Sequence, residues 1–220
     1  MPLTFYHFKN AVSAFFEIPT ERARELLPAP MQPLEVHHGS SILAVTAFDF
    51  HDSMVGPYQE IVLALVVPPL VKSGDPFPKS AMYPFLLATS TTESRQHAIE
   101  RWRLPHYMKN VSVKFEESNR HMRIRVMEAE EPILDFEVTD YNWDPVDQLH
   151  QCFTRDGQSR FKVDIHMKGK FTEHEEERGT LELYDHPMCR NLVRDEIAER
   201  PFRELWMKDG TQIFEELQTI

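Results

Sequence analysis

Glu60 stands at the threshold of an apolar run. In 56-GPYQEIVLALVVPP-69 it precedes Ile61, Val62, Leu63, Ala64, Leu65, Val66 and Val67 before the chain meets two prolines. Read as a strand, the segment turns Glu60, Val62, Ala64 and Val66 to one side and Ile61, Leu63, Leu65 and Val67 to the other. Both faces are apolar, so both should be covered, and the Glu60 side carries the smaller residues, which leaves space. A carboxyl group at the mouth of a cavity there would be partly desolvated. Its pKa would rise, and it could give or take a proton near neutral pH. The competing reading is a glutamate exposed at a strand end, just after the 56-GP-57 turn.

Other chemistry-bearing groups are weaker candidates. The pair Asp185-His186 could be an acid-oriented base, but sequence neighbours seldom face each other, and turn chemistry is the simpler reading. Eleven histidines invite a metal hypothesis. The 37-HH-38 pair points its rings to opposite sides of an extended segment, and neither HxH nor HExxH occurs. A two-histidine-plus-carboxylate site assembled from distant strands stays open, but no metal and no cofactor is expected. A GxSxG elbow, a phosphate-binding glycine loop and a dinucleotide fingerprint are all missing.

The elements that must position these residues are mostly strands. Sixteen prolines against seven glycines punctuate short apolar segments rich in β-branched and aromatic residues. Strands are predicted at Ser41 to Phe50, Glu60 to Val67, Met82 to Ser90, Asn110 to Phe115, His121 to Glu128, Ile133 to Thr139, Arg160 to Phe171, Thr180 to Tyr184 and Arg203 to Met207. In 121-HMRIRVME-128, Met122, Ile124 and Val126 share a face opposite Arg123 and Arg125. Two short helices are predicted, one over 19-PTERARELLP-28 with Thr20 as its cap, the other over 92-TESRQHAIERWRLP-105 opening on Thr92. The acidic run 173-EHEEERG-179 reads as a solvated hairpin tip or edge, and Phe5, Tyr6, Phe8, Phe15 and Phe16 read as core. The fold class is therefore mainly β with short helices, one domain over 1–220. So many strands must hide their edges, and closing into a barrel is one way to do so.

Composition bounds the partners. A chain of 220 residues with 41% hydrophobic and 27% charged side chains is an ordinary globular mixture that could bury roughly 70% of its unfolded surface. With 24 basic and 35 acidic side chains the formal charge is −11, which argues against a nucleic-acid surface. The N-terminus shows no signal-peptide pattern, and the apolar runs fall far short of a membrane helix. Two cysteines, Cys152 and Cys189, offer no disulfide framework. A cytoplasmic protein without membrane or nucleic-acid partners is the expectation.

Four stretches, in order, resemble the acetoacetate decarboxylase family. The segment 56-GPYQEIVLALVVP-68 is similar to its GxYxE strand, and 17-EIPTERARELLPAPMQP-33 to the early helix that ends in an LLP stop. The segment 100-ERWRLPHYMKN-110 resembles its E-x-W-G-x-P-K segment, and 180-TLELYDHPMCRNL-192 its closing strand and loop. The resemblance implies an acetoacetate decarboxylase-like β-barrel with a central substrate cavity, assembly into a homo-oligomer, and chemistry on a small keto acid. In that chemistry a lysine activated by its surroundings forms an imine with the substrate ketone, for which this family is a standard illustration.

Carried over position by position, the resemblance makes Glu60 the active-site glutamate and Tyr58 the tyrosine of the same motif. Glu100 and Trp102 match the residues before the catalytic segment. Lys9 falls where an arginine holds the substrate carboxylate, a bidentate fork becoming a point charge. The nucleophile departs from the pattern: the lysine after the proline is His106 in Pro105-His106-Tyr107, and the preceding glycine is Arg103. Imidazole has no primary amine and cannot form the iminium. Lys109 could supply one only if the segment coils back. The expectation is acid/base chemistry by Glu60 and His106, such as decarboxylation, enolisation, hydration or cyclisation, on a small carboxylate or carbonyl compound. The alternative is a non-catalytic ligand-binding or structural protein on the same barrel, with His106 filling the lysine's volume.

Overall fold

In the computed structural model, which describes residues 3–220, thirteen strands and two α-helices follow one another. They are β1 (Thr4–Pro19), α1 (Thr20–Leu26), β2 (Glu35–His37), β3 (Ser40–Asp52), β4 (Tyr58–Val66), β5 (Ser80–Thr89), α2 (Thr92–Trp102), β6 (Ser112–Ser118), β7 (His121–Glu128) and β8 (Glu131–Thr139). Then come β9 (Asp144–Asp156), β10 (Ser159–His174), β11 (Thr180–Leu183), two single 3₁₀ turns, β12 (Arg203–Phe214) and β13 (Gln218–Thr219).

The order β1-β12-β10-β9-β5-β4-β3 closes on itself, because β3 pairs again with β1. Seven strands thus form a barrel without a free edge, the arrangement that removes the hazard of unpaired strand edges. Every neighbouring pair is antiparallel except β5 and β9. A second sheet, β11-β8-β7-β6, covers one flank of the barrel.

The main core fills the space between that flank and the second sheet. From the barrel it takes Val45, Ile61, Leu63 and Leu65; from the sheet it takes Met122, Ile124, Val126, Leu134 and Phe136, all closed to solvent. Burying each large side chain stabilises the fold by about 1.5–3 kcal/mol. The alternation expected for 121–128 and for 60–67 is observed: Ile61, Leu63 and Leu65 point outward into this core, and Glu60, Val62, Ala64 and Val66 point into the barrel.

Several expectations need correction. Strands β1 and β9 and the short β2 and β13 escaped the sequence reading, and β12 runs seven residues beyond Met207, to Phe214. Thr20 does not cap α1. Pro19 occupies that position, and the Thr20 hydroxyl is bonded instead to Ser41 Oγ at 2.9 Å, tying the helix to β3. Helix α2 does open on Thr92, as expected, and its cap is the preceding Thr91, whose side chain accepts from Ser94 N–H. Phe5 is 45% exposed rather than core, because its neighbours Thr4 and Tyr6 take the inward positions of β1. The acidic run ends β10 and enters the loop to β11, so it joins the barrel to the second sheet rather than closing a hairpin.

Candidate functional site

Inside the barrel lies a cavity of about 480 Å³, within the range that ligand pockets occupy. Its wall is mainly apolar: β4 gives Val62 and Ala64, β5 gives Met82 and Leu87, and β10 gives Ile165 and Met167. One end opens past Val36 and Phe77, which are 44% and 74% exposed. Toward the other end a much smaller void of about 20 Å³ lies between Glu60, Tyr6, Tyr58, His97 and Trp102.

Glu60 borders both spaces. It stands opposite Phe48 on β3 and Thr89 on β5, and its carboxyl group has no hydrogen-bond or ion-pair partner among the described residues. Burial alone pushes its pKa up to about 8, since an ionised carboxylate loses its hydration with nothing to replace it. At neutral pH the side chain is therefore a neutral acid poised to release its proton. Its influence spreads to the neighbours: burial, and then the Glu60 charge, push the Cys152 thiol up to about 12 and raise the Tyr58 phenol.

Tyr58 and Trp102 join Glu60 around the small void. Trp102, at the end of α2, donates from Nε1 to the Tyr6 hydroxyl at 2.7 Å, and the same hydroxyl is bonded to His97 Nε2 at 2.6 Å. His106 is not among the residues lining the cavity. Residues 105–107 run beside Leu87 through a single parallel bridge, and it is Leu87 and Leu104 that reach the wall. The His106 ring lies 2.6 Å from the Tyr107 carbonyl through Nδ1. A carbonyl only accepts, so Nδ1 carries the proton and Nε2 keeps its lone pair. Nε2 faces Thr89 Oγ1 at 3.4 Å. Burial lowers the His106 pKa, the Tyr107 carbonyl offsets part of this, and Arg95 adds to it.

Lys9, Glu100 and Lys109 are not brought to the cavity. Lys9 is exposed at a bulge of β1. Glu100 is exposed on α2 and accepts from Gln96 at 2.8 Å. Lys109 donates to Glu128, which also accepts from Tyr107, on the outer surface. Asp185-His186 is turn chemistry: buried His186 caps a 3₁₀ turn by accepting from Met188 N–H.

Sequence reasoning missed Tyr6, His97, Gln148, His150, Cys152 and Gln212, which all border one of the two spaces. The alternation of Gln148, His150 and Cys152 was the available signal. At the rim, Lys79 and Arg203 flank Glu173, Lys79 donating to it at 2.7 Å and Arg203 lying 3.5 Å away. Among the described residues no cluster of three or more His, Cys, Asp or Glu is placed to hold a metal ion, and no helix is long and apolar enough to cross a membrane.

This architecture recurs in solved structures. An acetoacetate decarboxylase from Legionella pneumophila is similar over 99% of this chain and 87% of its own, with a TM-score of 0.66 at 13% identity. The enduracididine biosynthesis enzyme MppR, complexed with pyruvate, matches 100% of this chain and 90% of its own, with a TM-score of 0.63 at 10% identity. An acetoacetate decarboxylase-like enzyme from Sphingomonas wittichii matches 99% and 92%, with a TM-score of 0.61 at 11% identity. No protein-family model and no curated protein matches the sequence. The chain thus has the acetoacetate decarboxylase-like fold, and identities this low speak for the fold alone.

Proposed function

We propose that this protein is an enzyme that performs acid/base chemistry on a small carbonyl compound inside its barrel, with Glu60 as the proton donor and acceptor and without an imine intermediate. One observation carries the reading: an unpartnered carboxyl group, its pKa pushed up to about 8, on the wall of an otherwise apolar cavity. As the acid, Glu60 can donate a hydrogen bond to a carbonyl oxygen and polarise it. As the carboxylate, it can remove a proton from the adjacent carbon. Either role is consistent with enolisation, loss or addition of water, cyclisation, or protonation of the enolate left when a keto acid loses carbon dioxide. The structure of MppR with pyruvate supports a small keto acid as one substrate class, by analogy of fold.

The imine route has little support. Among the described residues that line the cavity the lysine is Lys79, at the rim and bound to Glu173. His106 enters this scheme only through Thr89. Its place off the wall favours the second reading, a barrel that binds a small apolar carbonyl compound without converting it. On either reading the partner is a small molecule in the cytoplasm, and assembly into a homo-oligomer is part of the proposal.

Exchange of α-hydrogens separates the two. Butanone and pyruvate, incubated with the protein in heavy water, should lose their α-hydrogen signals faster than in buffer. Glu60→Gln should slow this by roughly a hundredfold or more, the usual contribution of a positioned acid or base. Binding of butanone without exchange would favour the binding protein.

A further inference from the structure

The polar groups of the cavity wall are nearly all satisfied by the protein. Ser13 and Thr46 bond each other at 2.9 Å. Gln151 holds the backbone of Leu70 from both sides, at 2.9 and 3.0 Å, and Lys79 and Arg203 flank Glu173. Besides Glu60, two atoms stand out. Gln148 Oε1 and His150 Nε2 are closed to solvent and have no hydrogen-bond partner. Buried polar atoms are almost always paired, and an orphan costs about 1–3 kcal/mol.

These two residues are neighbours on one face of β9, two positions apart, and both border the cavity. His150 is fixed by Ser80, whose Oγ lies 2.9 Å from Nδ1, so its other nitrogen is left over. Burial, with Lys79 and His166 nearby, pushes the His150 pKa down to about 4, so the ring is neutral and presents one donor or one acceptor. The terminal torsions of glutamine and histidine are broad and soft, so both side chains can adjust to a molecule in the cavity, His150 while keeping its bond to Ser80. In the barrel register His150 stands opposite Ser80, at the start of β5, and Glu60 opposite Thr89, at its end. Between them the wall is apolar: Met82, Ala64, Ile165 and Met167.

We infer that Gln148 and His150 form a second polar subsite, which takes a hydroxyl group carried on the chain of a small carbonyl compound whose carbonyl lies at Glu60. A hydroxyl both donates and accepts, so it can donate to the Gln148 carbonyl and accept from His150 Nε2–H, the tautomer in which Nδ1 accepts from the Ser80 hydroxyl. The ligand class is then a short aliphatic ketone with a remote hydroxyl group. This rests on the proposed placement of the carbonyl at Glu60.

Calorimetric titration of the full chain with straight methyl ketones from butanone to octanone, each with and without a terminal hydroxyl, tests it. At the chain length that spans the two sites, the hydroxyl should tighten binding on the order of tenfold, because it pairs groups otherwise orphaned. The double variant Gln148→Met, His150→Phe should bind the plain ketone at least as well and lose that preference. Glu60→Gln should weaken both members of a pair alike and keep their ratio. A hydroxyl preference absent at every length, or one that survives the double variant, would overturn the subsite. Plain ketones that bind equally well to Glu60→Gln would instead sink the placement of the carbonyl at Glu60, while the hydroxyl ratio still judges the subsite. No binding of any ketone would overturn both.

Discussion

Glu60 differs from the glutamates of the surface only in its surroundings, and the difference reaches the stability of the fold. Below about pH 4.5 it is protonated whether the chain is folded or not. Between there and about 8 the folded protein keeps the proton and the unfolded chain has released it, so stability falls as pH rises through this window. Partial solvent contact moderates the effect to roughly 1–3 kcal/mol. Urea denaturation at a series of pH values should show Glu60→Gln gaining on the wild type by this amount from pH 5 to pH 9; parallel curves would remove the shifted acid. A second expectation concerns nitrogen. With Lys79 tied to Glu173 at the rim and Lys109 on the outer surface, borohydride reduction in the presence of acetoacetate should leave no lysine adduct detectable by mass spectrometry. An adduct at either lysine would reinstate the imine.

Helix α2 ends on a strained residue. Arg103, which the sequence resemblance sets against a glycine, adopts a left-handed conformation with φ 56°, which glycine takes freely and side chains resist. Arg103→Gly should therefore raise stability by about 0.5–1 kcal/mol in chemical denaturation, the relief of strain exceeding the added freedom of the unfolded chain. Strand β12 carries the opposite case. Glu204 is fully buried, and its carboxylate accepts from Thr139 N–H and Oγ1 and from the N–H groups of Arg178 and Gly179. It thereby ties the β8 end and the β10–β11 loop to the barrel. Glu204→Ala should cost about 3–5 kcal/mol, measured as a lower urea midpoint, since it strands several buried donors.

Elements with strong patterns were legible: β4 and β7 show their apolar faces at a glance, whereas the small side chains beside Glu60 allowed a cavity without deciding against a glutamate exposed at a strand end, and it was the resemblance that favoured the cavity. Strand β9 was not, because 144-DPVDQLHQCFTRD-156 turns polar residues toward the barrel interior and so lacks an apolar face. His106 was misjudged as a cavity residue for a related reason. Its motif fixes the place in the chain, while the bridge to Leu87 decides which side chains reach the wall, and those are Leu104, within the motif, and Leu87.

Taken whole, the molecule is a closed barrel that holds one half-buried acid on the wall of an apolar cavity while its outward faces build the core against a second sheet. Closure depends on pairing β1 with both β12 and β3, which are distant in sequence, so folding belongs in the slow range of β-rich domains. The functional account depends on what that closed wall does to a single proton. A carbon NMR titration of the side-chain carboxyls, with the Glu60 signal assigned by its loss in Glu60→Gln, reads it directly. The midpoint should lie near 8, with the protonated form dominant at neutral pH. A midpoint at the ordinary glutamate value, close to 4.5, would mean that water reaches the carboxylate freely, and the barrel would then hold no neutral acid.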